Sequence, residues 1–442
     1  MMLHPSRRHV LKGLAAGGLN LLIPGGLYAQ GGPRRVAANE RLRIALVGVG
    51  GRGKAAVGGL AGEEFAAFCD VDEQAAAETF AKHPDVPRFT DFREMLAKLG
   101  DTIDAVTVST PDHSHFDIAM AAVQAGKHVY VEKPLCQTIE QTRRLLAAAT
   151  KAGVKTQMGN QGHSSDTIRN FKELIDAGLI GEIRAVDAWT DRPAGWWPQG
   201  MQAAPGAAAV PAHLAWDLWR NGRDLAYSPD YLPFKWRGWT AWGCGALGDM
   251  ACHILDPFFF ACDPGLPESI TCEAEGGSNL AFPLKSTVTY HFPARSGRPA
   301  FDLVWRDGKG NLPDTPGVLE AGRPMGNKSG GTLIHGAKEL VMSDSHAGFV
   351  GIIPAIRAKE VAAPEKSLPR IAGSHFSNWT DAIRGKVPEA SSHFAYAARL
   401  NELVLLGVIA QRLPGEKLVY DAATATFKGN DRANLLVKQP LV

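Results

Sequence analysis

The stretch Arg43-Ile44-Ala45-Leu46-Val47-Gly48-Val49-Gly50-Gly51-Arg52-Gly53 constrains this chain more than any other. Its apolar start suits a short strand buried in a parallel sheet. Gly48, Gly50 and Gly53 then make G-x-G-x-x-G, and Lys54-Ala55-Ala56-Val57 continues with helical character. In a strand–turn–helix the first glycine permits the tight turn and the second lets the backbone approach a pyrophosphate. The third lets the helix pack on the strand. The helix N-terminus adds free N–H groups and partial positive charge. A second apolar run, Phe65 to Cys69, ends in Asp70, about twenty residues after Gly48, where a ribose-binding carboxylate belongs. Together these features predict a dinucleotide site. A 2′-phosphate would meet the charges of Asp70 and Asp72, which should outweigh one exposed Arg52, so NAD is expected over NADP.

At 442 residues the chain is too long for one ordinary core. Apolar runs at 43–47, 65–69, 104–108 and 127–131 alternate with candidate helices near 73–82, 91–98 and 114–125. A helix at 138–151 and a strand at 154–157 follow. Regular βαβ alternation predicts a parallel sheet covered on both faces, with ligands outside the carboxyl ends of its strands. Beyond about residue 165 the rhythm changes. A helix at 165–177 and a strand near 182–190 lead into a loop-rich region, 191–243, and then one helix from Gly245 to Cys262. Strand patterns at 267–276, 285–293, 299–307, 331–335 and 338–343 precede helices near 372–384 and 391–412. Strands without intervening helices predict a largely antiparallel open sheet. The expected architecture is α/β, with a Rossmann domain at 41–163 and a second α/β domain at 164–442.

The first 29 residues carry Arg7-Arg8 ahead of a weakly apolar run ending near Tyr28-Ala29, the pattern of a twin-arginine export signal, with 30–40 as linker. Export to the periplasm is therefore expected. Without that segment the chain is near neutral, which gives no electrostatic case for nucleic acid. No other stretch approaches a membrane span. Six cysteines include no C-x-x-C and no structural-zinc spacing, so no metal is expected; a Cys262–Cys272 disulfide is less expected than buried thiols.

Glu132-Lys133-Pro134 falls at the carboxyl end of a parallel strand, beside the expected nicotinamide position. An ammonium there can hold a substrate hydroxyl and stabilise the developing alkoxide. Asp249 and His253 stand at i and i+4, on one helix face. A neutral imidazole beside a carboxylate can take a hydroxyl proton while hydride leaves the same carbon. A surface ion pair or a metal site would use the same two residues.

G-x-G-x-x-G, the loop Thr110-Pro111-Asp112-His113-Ser114-His115, Glu-Lys-Pro and Asp-x-x-x-His, in this order, resemble the glucose–fructose oxidoreductase / inositol dehydrogenase (Gfo/Idh/MocA) family from about Leu42 to about Val419. The resemblance implies NAD(P)-dependent redox chemistry on a ring hydroxyl of a sugar, glycoside or cyclitol, in a homo-oligomer, with the open sheet of the second domain used for substrate and oligomer contacts. It implies catalytic roles for Lys133, Asp249 and His253. It also implies cofactor contacts from Gly48, Gly50, Gly51, Arg52, Gly53, Asp70, Thr110, Pro111, His115, Glu132, Lys133 and Asn160, with Gln161 and His163 lining the substrate side. Eight of ten tryptophans lie between Trp189 and Trp242. Aromatic faces bury sugar C–H surfaces, so Trp197 and Trp239 are candidate substrate walls, with packing expected for at least half of the set. Two alternatives stay open. Some exported relatives hydrolyse glycosides through transient oxidation by tightly held NAD, and a dinucleotide-binding sensor would need no turnover.

Overall fold

The structure, a computed structural model, describes residues 32–295 and 297–439. The export expectation for 1–29 falls outside them. Short buried runs make the first sheet: β1 (Arg43–Val47), β2 (Glu64–Cys69), β3 (Arg88–Phe89), β4 (Ala105–Val108), β5 (His128–Glu132) and β6 (Thr156–Gly159). All pair in parallel, in the order β3-β2-β1-β4-β5-β6. Its crossovers are α1 (Gly53–Gly59), α2 (Glu73–Lys82), α3 (Phe92–Leu99), α4 (His115–Gln124) and α5 (Ile139–Ala152). Asp72, Asp91 and Thr138 start three of these by accepting N–H groups of the first turn.

The second sheet has nine strands and is mostly antiparallel. After α6 (Asp166–Asp176) come β7 (Ile183–Thr190), a short helix α7 (Trp216–Trp219), α8 (Gly245–Ile254), α9 (Asp256–Cys262) and β8 (Ser269–Glu275). Next are β9 (Lys285–Phe292), β10 (Phe301–Asp307), β11 (Gly331–Gly336), β12 (Leu340–Asp344) and β13 (Val350–Ile353). The chain closes with α10 (Ala355–Glu360), α11 (His375–Ile383), α12 (Phe394–Arg412), β14 (Leu418–Asp421), β15 (Thr426–Phe427) and α13 (Asp431–Lys438). The order is β13-β12-β11-β7-β10-β9-β8-β14-β15, and only β7 with β10 runs parallel.

The single helix expected over 245–262 is two, broken at Leu255, because Pro257 has no N–H to continue the first and suits the first turn of the second. The strand expected at 154–157 lies two residues later. All six cysteines are free. Among the described residues, no helix is long and apolar enough to cross a membrane.

Helix α12 joins the two sheets. Its residues Leu400 to Ile409 are nearly all buried, as a helix packed on every side requires. Its one central amide, Asn401, accepts from Leu135 N at 3.0 Å and donates to Thr142 Oγ1 at 2.8 Å, fixing the loop after β5. At the opposite end of the parallel sheet, buried Asp104 binds both Arg34 and Arg43 at 2.7 Å and also accepts from Arg43 N at 2.9 Å. Removing it strands two guanidinium groups that can still turn toward water. Asp104→Ala should therefore lower stability by about 2 kcal/mol, read as a shift in denaturant midpoint with unchanged slope.

Candidate functional site

The glycine turn closes because Gly48 sits at φ +78° and donates to Cys69 O at 2.8 Å. A side chain at Gly53 would put Cβ 1.9 Å from Gly48 O, so helix α1 can start only on glycine. A Cβ at Gly50 would meet Ala75 O of α2 at 2.7 Å, whereas Gly51, at φ +41°, has open space on that side. The open face of the turn is therefore at Gly51 and not Gly50, which is spent on packing against α2.

Asp70 lies where β2 ends. Its carboxylate accepts from Val49 N at 2.9 Å, Gly50 N at 3.2 Å and Asp72 N at 3.1 Å, and burial pushes its pKa up. Asp72 does not join it. That carboxylate caps α2 and meets His213 Nδ1 at 2.9 Å, so it is committed away from Asp70.

His115 sits between the loop after β4 and the loop after β5. Its ring nitrogens lie 2.8 Å from Pro134 O and 2.8 Å from Thr110 O, and the neutral ring donates its one N–H to one of these two carbonyls. Thr110 in turn accepts from Ser114 Oγ at 2.8 Å, and Pro111 precedes a single 3-10 turn. Beside them Glu132 Oε1 accepts from Gln161 Nε2 at 2.9 Å and Arg52 Nε at 3.2 Å. Glu132 Oε2 and both amide atoms of Asn160 are buried with no protein partner among the described residues.

Lys133 reaches from the end of β5 to helix α8. Its Nζ donates to Asp249 Oδ1 and to Asp249 O, each at 2.8 Å. The same carboxylate binds Arg237 Nε at 3.2 Å through Oδ1 and Arg192 through Oδ2. Burial alone would raise this carboxyl, but Lys133, Arg237 and Arg192 outweigh it and hold it far below the usual carboxylate range. His253, one turn on, is buried and its Nδ1 has no partner among the described residues. Asp249 therefore does not set its tautomer; its oxygens are taken by three cations. Burial, then the charges of Lys133 and His346, depress the His253 pKa well below the ordinary value, so its ring is neutral at pH 7. The His346 ring lies 4.5 Å away. Burial also pushes Asp112 up to about 7, against the pull of Arg237 and Lys133.

The remaining candidates divide. Gln161 lies at Glu132, while His163 Nδ1 is 2.9 Å from Asp256 Oδ1 and its ring is 4.4 Å from Tyr396, deep in packing. Trp239 donates to Asp230 O at 3.0 Å within a small core of Leu214, Trp216, Trp219, Tyr231, Trp236 and Trp242. It is no substrate wall. Trp197 is buried too, but its ring lies 5.7 Å from both the Arg192 and the Arg237 guanidinium. The aromatic rim is instead Trp196, 50% exposed, and Phe234, 41% exposed.

Residues 42–160 match the profile described as oxidoreductase family, NAD-binding Rossmann fold (GFO_IDH_MocA). This stretch, the N-terminal domain, is similar to the NAD-binding domain of the Gfo/Idh/MocA oxidoreductases. Inositol 2-dehydrogenase 1 of Saccharopolyspora erythraea is 33% identical over 147 residues, 32% of this chain and 43% of that protein. A glycosyl hydrolase family 109 protein of the same organism is 29% identical over 282 residues, 57% of this chain and 54% of that protein. The chain thus spans about half the length of these curated relatives. An inositol dehydrogenase homologue of Azotobacter vinelandii, crystallised with NAD+, shares the fold at TM-score 0.58 and 18% identity, over 86% of this chain and 98% of that one.

This N-terminal domain fits NAD. The turn is open at Gly51, and unpartnered Asn160 and Glu132 Oε2 lie across the sheet end toward Lys133. When bound, the dinucleotide supplies a hydride acceptor or donor. Trp196 belongs to the tryptophan set read as a substrate wall, but sequence reasoning missed Arg192, Phe234 and His346, on loops, and Arg237, in a single 3-10 turn, none of which carries a period or motif. Because the Asn160 amide has no protein partner to lose, Asn160→Leu should weaken NAD binding by about tenfold or more at nearly unchanged stability. Equilibrium titration with NAD beside a denaturation curve checks both halves.

Proposed function

We propose that the protein is an NAD-dependent oxidoreductase acting on a ring hydroxyl of a sugar, glycoside or cyclitol. One observation carries this reading: Lys133, from the end of an NAD-domain strand, is bonded to Asp249 one helical turn from a neutral, unpartnered His253. Lys133 would hold the substrate oxygen and stabilise its developing charge. His253 would take the hydroxyl proton. Asp249 would fix the ammonium rather than the imidazole. Asn160, Glu132, Asp70 and the glycine turn would hold the dinucleotide.

A second reading, NAD-dependent glycoside hydrolysis through transient oxidation, is favoured by the family 109 glycosidase relative, whose match extends well beyond the NAD domain. We extend the proposal to export by the twin-arginine route and to assembly through the open sheet face. Free NAD is scarce outside the cytoplasm, which favours a tightly held cofactor that is recycled in place.

Product mass spectrometry on a glycoside panel, with protein as purified, tests the reading. A keto-sugar lighter by one molecule of hydrogen supports the oxidoreductase, free aglycone without redox change supports the hydrolase, and unchanged sugars refute both. His253→Ala should slow turnover by about 10² to 10⁴ while sparing NAD affinity. Since the neutral imidazole is the working form and its pKa is depressed, activity should persist as pH falls through the ordinary histidine range near 6.5, and fail only in stronger acid. A rate that halves near pH 6.5 would contradict that assignment.

A further inference from the structure

Three cations surround one carboxylate at the candidate site. Lys133, Arg192 and Arg237 all bind Asp249, and all four side chains are largely buried. Neutralising Asp249 needs one of them. The other two place surplus charge in a poorly solvated site, which is costly unless an anion joins them. A further carboxyl that feels Arg237 and Lys133, Asp112, accepts from Cys244 N at 3.1 Å, and even ionised it leaves cations in excess. Asp344 accepts from the backbone N–H groups of His346, Gly348 and Phe349 and, among the described residues, forms no ion pair with any of the three cations. The neighbouring imidazoles of His253 and His346 add no negative charge.

Both guanidinium groups are also preset. Arg192 stacks 4.1 Å from the Trp196 ring centre, and Arg237 lies 4.0 Å from Phe234 and 4.2 Å from Trp236. Each uses part of its fork on Asp249. Among the described residues neither Nη2 has a protein acceptor, and neither is a buried unsatisfied atom, so both arms face solvent. They emerge under the exposed pair Trp196 and Phe234, whose rings lie 6.4 Å apart.

From this geometry we infer that the substrate is an acidic sugar, its ring against Trp196 and Phe234 and its carboxylate held by Arg192 and Arg237. A planar carboxylate suits two guanidinium arms better than a neutral hydroxymethyl group does. The inference rests on the oxidoreductase reading for the chemistry but concerns binding alone.

The test compares methyl β-glucuronide, methyl β-glucoside and its 6-sulfate on the NAD-loaded full chain, by calorimetry and by ketone formation. The glucuronide should bind at least about tenfold more tightly than the glucoside, with the preference shrinking at high salt. Arg192→Gln and Arg237→Gln should each erode that preference and leave NAD affinity unmoved. Should either variant fail to fold, the wild-type comparison and its salt dependence decide alone. Equal or tighter binding of the neutral glucoside overturns the inference, as does preference for the sulfate, or a loss confined to NAD affinity in the variants. Tight glucuronide binding without ketone would leave the inference standing and sink the oxidoreductase reading. Ketone from both sugars without preference would do the reverse.

Discussion

The bond from Lys133 Nζ to Asp249 holds the site together, because it ties the end of a parallel strand to a helix of the other sheet across 116 positions of sequence. Each partner is aimed by something else. Lys133 leaves a loop clamped by His115 on one side and by Asn401 of α12 on the other. Asp249 sits in a fully buried helix whose Gly248 could not carry a side chain, since a Cβ there would lie 2.1 Å from that of Cys244. Buried charge without such partners would cost several kcal/mol. The carboxylate therefore stays ionised only while its cations stay in place.

The aromatic segment between β7 and α8 sets the boundary of that site. Its small core packs Val71 and reaches both flanks of the glycine turn. On one flank Ala215 N donates to Val71 O at 2.8 Å, and on the other His113 N donates to Trp242 O at 3.2 Å. Burying five tryptophans gives an otherwise irregular segment enough apolar contact to hold its shape. It also delivers Arg237 and Phe234 to the mouth of the site.

Most of the parallel sheet was legible because its strands are continuous apolar runs bounded by helices of opposite period. The edges were not. Strands β13 and β14 are four residues long and β15 two, so no period emerges over so few residues. The break at Leu255 had a signal in Asp256-Pro257, masked by the apolar run around it. At the site, Lys133, Asp249 and His253 could be read from spacing. Their wiring could not, since Arg192 and Arg237 reach Asp249 only through loop folding. Tryptophan density read as a ligand wall, yet a 53-residue loop region must first bury itself, and it did so with Trp239.

The central claim is that the Lys133–Asp249–His253 junction is where hydride leaves a sugar carbon. Single-turnover absorbance of NAD-loaded protein mixed with an accepted sugar tests it most directly. Reduced nicotinamide should appear with wild-type protein, and in Lys133→Met it should appear at least about a hundredfold more slowly at unchanged NAD affinity. Reduction by Lys133→Met at the wild-type rate would contradict the account.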